Sequence, residues 1–256
     1  MNTSPKWAED LWNWADKHEI SCEALPREFE ELIEKTEMDL RDNNFTALPD
    51  ELGELIKLEY LVWGDKPISI SDNLARKIIH TSKYILQYAS KTMQNDKEVV
   101  LQAVERNGYA LEYASKELQN DKEVVLKAIE SDEWALEYAS KKVQNDKELV
   151  LKVVTSNGWA LKYTSKELQN DKEVVLKALK DNGLALKFAS KELQNDKEVV
   201  LKAVEANGKA LQYASIELQN DKDLINEALK HDSLFMPEDF EGIDFKGLAD
   251  LDDFEL

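Results

Sequence analysis

The sequence predicts a mainly α protein, an α/α solenoid of 25-residue two-helix repeats with a short α/β cap at the amino terminus. Three observations carry that expectation. The block Asn-Asp-Lys-Glu returns every 25 residues, starting at Asn95, Asn120, Asn145, Asn170 and Asn195, and Asn-Asp-Lys returns at Asn220. Between the blocks, apolar residues recur at helical spacing. A unit this short cannot bury its own apolar face, so its copies must stack on one another.

In chain order, residues 1–20 read as a capping helix from Trp7 to His18, with Trp7, Leu11, Trp14 and Ala15 on its apolar face. Residues 21–70 follow a different period. Leu25-Pro26 and Leu48-Pro49 stand 23 residues apart, and Met38-x-Leu40-x-x-Asn43-x-Phe45-x-x-Leu48-Pro49 fits a short strand, an Asn turn and an inward apolar ladder. A second copy reads Leu58-x-x-Leu61-x-Trp63, with Lys66 where the Asn would fall and Ile68 closing it. On these residues, 5–70 resembles the amino-terminal region of bacterial leucine-rich-repeat proteins of the Leu-Pro type. The resemblance implies about two such repeats. Two are too few to stand alone, so they are expected to pack on residue 71 onward as one elongated body. Cys22 falls where Phe45 sits in the next repeat and is expected to be a buried small hydrophobe.

Residues 71–236 form the predicted solenoid, with full copies at 96–120, 121–145, 146–170, 171–195 and 196–220. In the first full copy Asp96 is a helix N-cap and Glu98 adds negative charge to the first turn. Val99, Val100, Leu101, Ala103 and Val104 build the first helix. Asn107-Gly108 is expected to stop it through a left-handed glycine. A second helix then carries Ala110, Leu111, Tyr113, Ala114 and Leu118, each helix running to roughly ten residues. Degenerate copies flank the array: Ser71 replaces the Asp cap at one end, and a reduced first-helix pattern follows Asp221 at the other. Glu133 replaces the glycine shared by positions 108, 158, 183 and 208, which predicts a reshaped turn or one carrying an extra helical residue. The motif Asp-Lys-Glu-Val-Val-Leu-Lys-Ala-Val-Glu-x-Asn-Gly-x-Ala-Leu-x-Tyr-Ala-Ser recurs five times nearly intact and resembles the family called domain of unknown function 4116. That resemblance implies a helical-repeat fold and no assigned chemistry.

The net charge of −19 is unevenly spread. Residues 1–70 carry −10, residues 71–95 carry +3, the five full repeats carry only −3, and residues 221–256 carry −9. Lys127, Lys152, Lys177 and Lys202 should form one row along the repeats and Glu98, Glu123, Glu148, Glu173 and Glu198 another, as solvated stripes with pairs across them. The tail 237–256 alternates acids with Phe240, Phe245, Phe254 and aliphatic residues, as either a folded cap or a docking segment. No apolar run approaches the roughly 20 residues of a membrane span. The start lacks a signal-peptide pattern, and a single cysteine points to a reducing cytoplasm.

Chemistry-bearing patterns are scarce. His18, His80 and His231 are far apart with no ligand spacing, so no metal or cofactor is expected. Ser90, Ser115, Ser140, Ser165, Ser190 and Ser215 share one repeat position, which marks them as packing residues and not nucleophiles. The informative exceptions are aromatic. At the start of each second helix stand Tyr84, Tyr109, Trp134, Trp159, Leu184 and Lys209, beside the nearly constant Tyr88, Tyr113, Tyr138, Tyr163, Phe188 and Tyr213. A varying slot beside an unvarying one suits either a partner-binding stripe of Tyr84, Tyr109, Trp134 and Trp159 or rings filling gaps between repeats. The expected function is a non-enzymatic scaffold that binds a protein partner, with no membrane and no direct nucleic-acid contact. The alternative is an acidic inhibitor or decoy of a basic nucleic-acid-handling enzyme, such as a phage-borne anti-CRISPR or other anti-defence protein. It would use Asp250, Asp252, Asp253 and Phe254 of the tail.

Overall fold

The computed structural model describes residues 4–41, 43–63, 68–81 and 85–231. The chain divides into two compact units, 1–140 and 141–256.

The first unit opens with helix α1 (Lys6–Lys17), which buries Ala8, Leu11 and Ala15. Trp7 and Trp14 are half-buried and pack on Phe29 and Phe45, with ring centroids 5.9 and 5.4 Å apart. The helix ends where Glu19 takes a left-handed φ of 57°, letting the Ile20 N–H reach back to the Ala15 carbonyl at 2.9 Å. After the short helix α2 (Phe29–Ile33) come strands β1 (Glu37–Asp39) and β2 (Tyr60–Val62). They pair in parallel with Glu37 opposite Tyr60, Met38 opposite Leu61 and Asp39 opposite Val62, a register of 23 residues. Met38, Leu40, Phe45, Leu48, Leu58, Leu61, Trp63 and Ile68 are buried behind them. Lys66 lies outside the described residues. Cys22 is exposed and free, contrary to expectation. Residues 22–24 form a turn, closed by the Ala24 N–H donating to the Ser21 hydroxyl, so Cys22 faces solvent and the neighbouring Leu25 is buried.

Helix α3 (Asp72–Ile78) begins where the Ser71 hydroxyl accepts the Leu74 N–H at 3.0 Å, so the serine does replace the Asp cap. From there the repeat takes over. Each full copy contains a ten-residue α-helix: Lys97–Arg106 and Lys122–Ser131 in the first unit, and Lys147–Ser156, Lys172–Asp181 and Lys197–Ala206 in the second. An Asp caps each of them, for example Asp196, whose carboxylate accepts the Glu198 and Val199 N–H groups. The predicted ten-residue second helix is instead two pieces. A six-residue 3₁₀ helix such as Gly183–Phe188 is followed by an extended residue, Ala189, and a four-residue α-helix, Lys191–Gln194. The break is local chemistry: the hydroxyl of Ser190 caps the last piece by accepting the Leu193 N–H.

Two further expectations change with the geometry. The glycine is not left-handed. A Cβ on Gly183 would stand 2.2 Å from the Ala203 carbonyl oxygen of the following copy, and one on Gly158 2.4 Å from that of Ala178. Glycine is needed there because two backbones approach closely. The Asn before it caps the 3₁₀ helix, as when Asn182 Oδ1 accepts the Leu184 N–H at 3.0 Å. Nor is the Glu133 turn reshaped: Lys122–Ser131 has the same ten residues as its neighbours, Asp132 supplies the cap and Glu133–Tyr138 is an ordinary 3₁₀ piece.

Copies join through the recurring polar block. In the second unit the Ser165, Ser190 and Ser215 N–H groups donate to the Gln144, Gln169 and Gln194 carbonyls of the preceding copy at 3.0, 2.9 and 2.9 Å. Their hydroxyls donate to Oδ1 of Asn145, Asn170 and Asn195. Each buried Gln fixes its own copy: Gln169 Nε2 donates to the carbonyls of Leu161, Lys162 and Thr164 at 3.1–3.3 Å. Lys166 Nζ reaches the Gln169 Oε1 at 2.8 Å. The first unit repeats the pattern, with the Ser115 and Ser140 N–H groups on the Gln94 and Gln119 carbonyls at 2.8 Å. The fold of residues 85–231 is thus a helical-repeat solenoid within each unit, mainly α as expected.

Candidate partner-binding surfaces

The lysines of the repeat split into two populations. Those of the Asn-Asp-Lys-Glu block clamp copies together: Lys147 reaches Asp171 and Glu173 at 2.7 and 2.9 Å, and Lys172 reaches Asp196 and Glu198 at 2.8 and 2.7 Å. The hydrogen bond from Lys172 is the largest influence on Asp196. With the Val199 and Glu198 N–H groups it outweighs burial and holds the carboxyl below its ordinary range. Lys172 is raised in turn, first by Asp196 and then by Glu198. In the row expected from sequence, Lys127 pairs with Glu105 of the preceding copy and with Glu130 of its own helix, whereas Lys152 pairs with Glu148 and Lys202 with Glu205 within one helix. The clamping row was the one that sequence reasoning missed.

The aromatic slot is partly outward and partly interlocked. Tyr109 is 38% exposed, and its ring meets Tyr138 edge-on at 5.9 Å. Trp134 is half-buried in the first unit. In the second unit Trp159 is half-buried and packs edge-on against Phe188 at 5.5 Å. Each ring with a described partner therefore seals the join to the next copy while leaving an edge in water. Burial, with the carboxylates of Glu112 and Glu137 next, raises the Tyr138 hydroxyl above its ordinary pKa. Tyr84, Asp250, Asp252, Asp253 and Phe254 lie outside the described residues.

Two residues overlooked in the sequence stand out. Tyr60 and Val62 on β2 are 50% and 43% exposed, on the face opposite buried Leu61. Arg106, three residues before Tyr109, lies over the Tyr60 ring at 5.1 Å from its centroid. Tyr60 and Val62 line an open cavity of about 600 Å³ together with Glu19, Glu23, Glu37 and Asp39. Its cations are engaged: the Arg41 side chain pairs with Asp39 and holds that carboxyl below its ordinary range, and Lys35 Nζ donates to the Glu23 carbonyl at 2.8 Å. The sequence signal was available. With Leu61 and Trp63 inward on a strand, positions 60 and 62 must point outward, where Tyr and Val are unusual choices.

Among the described residues, no group of three or more His, Cys, Asp or Glu could hold a metal ion. No described helix is long and apolar enough to cross a membrane. Ser115, Ser165, Ser190 and Ser215 each serve as a cap and as an inter-copy donor.

A family model described as Domain of unknown function (DUF4116) matches residues 73–119, 96–144, 121–169, 146–194 and 196–240, well over half of the chain. No match was found among curated proteins or among solved structures. The matches beginning at 96, 121, 146 and 196 keep the 25-residue phase of the repeat that the Ser–Gln ladder builds, and the chain belongs to the family described as Domain of unknown function (DUF4116).

Proposed function

We propose that the chain is a non-enzymatic protein–protein interaction scaffold, and that its first unit docks a partner on the edge formed by Tyr60, Val62, Arg106 and Tyr109. The observation that carries this reading is the pair of exposed apolar side chains Tyr60 and Val62 on one strand face with Arg106 over the Tyr60 ring, and Tyr109, three residues after Arg106, is exposed as well. Tyr and Arg are enriched at binding hot spots because they bury large area with a polar end. Four carboxylates border the adjoining cavity, so the partner segment is one with an apolar anchor and flanking basic residues. Trp134 extends the surface along the next copy. We further read residues 21–70 as leucine-rich repeats of the Leu-Pro type, supported by the 23-residue parallel register. The single exposed, free cysteine supports a cytoplasmic setting.

The test is affinity capture from native extract with the full chain and with a Tyr60→Ala, Tyr109→Ala double variant. One dominant partner is expected, lost with the variant while far-UV circular dichroism stays unchanged. Equal recovery by a folded double variant removes this edge from the reading.

A further inference from the structure

The second unit carries a charge pattern that the repeat does not require. At the repeat position two residues after the conserved Ala of the 3₁₀ helix, the first two full copies have Glu112 and Glu137, the next two have Lys162 and Lys187, and the last has Gln212. At the position of the Gln-holding lysine, Lys166 and Lys191 give way to Ile216 in the last copy. The coincidence of both lysines in neighbouring copies within the second unit makes one four-lysine cluster. Lys162, Lys166, Lys187 and Lys191 line a single open cavity of about 720 Å³.

These ammonium groups differ from the clamping lysines beside them. Lys147, Lys172 and Lys197 each bridge two carboxylates of the following copy. Among the described residues, none of the four cavity lysines forms an ion pair; Glu192 is the one carboxylate in the lining. Their positions are nonetheless fixed. Lys166 and Lys191 donate to Oε1 of Gln169 and Gln194 at 2.8 and 2.9 Å. Those glutamines are tied by Nε2 to the backbone of the 3₁₀ helices. Lys162 lies 4.9 Å from the Tyr163 ring centroid and Lys187 5.7 Å from that of Tyr213. A lysine has three donors, so each retains protons for a ligand. Half-buried Phe188 adds an apolar lining.

We propose that this cavity is a docking site for an acidic polypeptide segment carrying an apolar side chain. It is a separate surface from the first-unit edge, and its partner has the opposite charge. Two observations favour a peptide over nucleic acid. The Tyr163 and Tyr213 rings are already covered by lysine cations, leaving those faces unavailable for base stacking. The net charge of −19 also repels a long polyanion, whereas a short acidic segment meets only the local lysines.

The test uses fluorescence anisotropy on the full chain with a labelled oligoglutamate peptide bearing one central phenylalanine, alongside its oligoglutamine counterpart. Binding of the acidic peptide alone is expected, weakening with salt. Lys162→Gln with Lys187→Gln should reduce affinity about tenfold. Lys162→Arg with Lys187→Arg should retain it, and Lys177→Gln with Lys180→Gln, elsewhere in the same unit, should leave it unchanged. An equal loss from the Lys177 and Lys180 variant would reduce the effect to general charge and overturn the site. So would tighter binding of an oligothymidylate or of anionic vesicles, or no binding of the acidic peptide.

Discussion

Replacing Gly183 with alanine tests whether the copies are held together by close backbone approach. The new Cβ would lie 2.2 Å from the Ala203 carbonyl oxygen, 3.0 Å from the Asn207 nitrogen and 3.1 Å from the Asn207 Cβ. The obstacle cannot rotate away, because that carbonyl already accepts the Asn207 N–H at 2.9 Å within its helix turn. Restoring ordinary contact requires the two copies to part by about 1 Å at this edge, which strips van der Waals contact from the helices behind it. Overpacking of this kind costs about 3 kcal/mol at the upper end of the usual range. Alanine returns about 0.4–1 kcal/mol by restricting the unfolded chain. The net expectation is a loss of about 2 kcal/mol, or a fall of about 1 M in the urea midpoint followed by far-UV circular dichroism. Glu133→Gly is the internal control. That slot already accommodates a side chain, so glycine there relieves no close approach; it adds the backbone entropy of a glycine, about 0.5–1 kcal/mol, and the midpoint should fall. A Gly183→Ala chain with a raised midpoint would refute close approach as the reason for the glycine, since the entropic gain would then be acting unopposed.

Other predictions follow from the same joints. Gln169→Leu leaves the Leu161, Lys162 and Thr164 carbonyls without their amide donor and frees Lys166, and should lower stability by about 1–3 kcal/mol in thermal or urea unfolding. Because Asp96 and Asp196 have folded pKa values below their unfolded ones, their contribution is complete above about pH 4 and is lost as pH falls through the folded values. The opposite sign holds for Lys172, whose raised pKa contributes fully below about pH 10.4 and fades as pH rises through the folded value. Asp196→Asn keeps a capping side chain but loses the ion pair with Lys172, and should cost under about 1 kcal/mol while flattening the acid limb of a pH–stability curve. An unchanged acid limb would show that the clamp does not govern it.

The period was legible because the side chains that join the copies must recur with them. Asp caps at 96, 121, 171, 196 and 221 open their helices as the spacing implied. The role of the glycine was not legible, because Asn-Gly is written the same way for a left-handed stop and for a close approach of backbones. The division of the second helix was hidden by an apolar pattern continuing from Leu111 to Leu118, although Ser115 already marked the new cap. On the candidate surfaces, the aromatic slot was legible as a varying position, but its contact with the following copy depends on distance in space. Tyr60 and Val62 were obscured because the buried alternates of their strand carry the stronger pattern. The lysine cavity needed two repeat positions to be placed side by side, which a linear period does not show.

Some side chains of this molecule hold copies together, and others are proposed to meet a partner. The two roles separate when the captured partner's affinity is measured for two variants in parallel, Tyr60→Ala with Tyr109→Ala and Gln169→Leu, with urea midpoints for both. Lost binding at near-normal stability is expected for the first. Near-normal binding at reduced stability, below the temperature at which it unfolds, is expected for the second. The reverse pairing would contradict the division of roles.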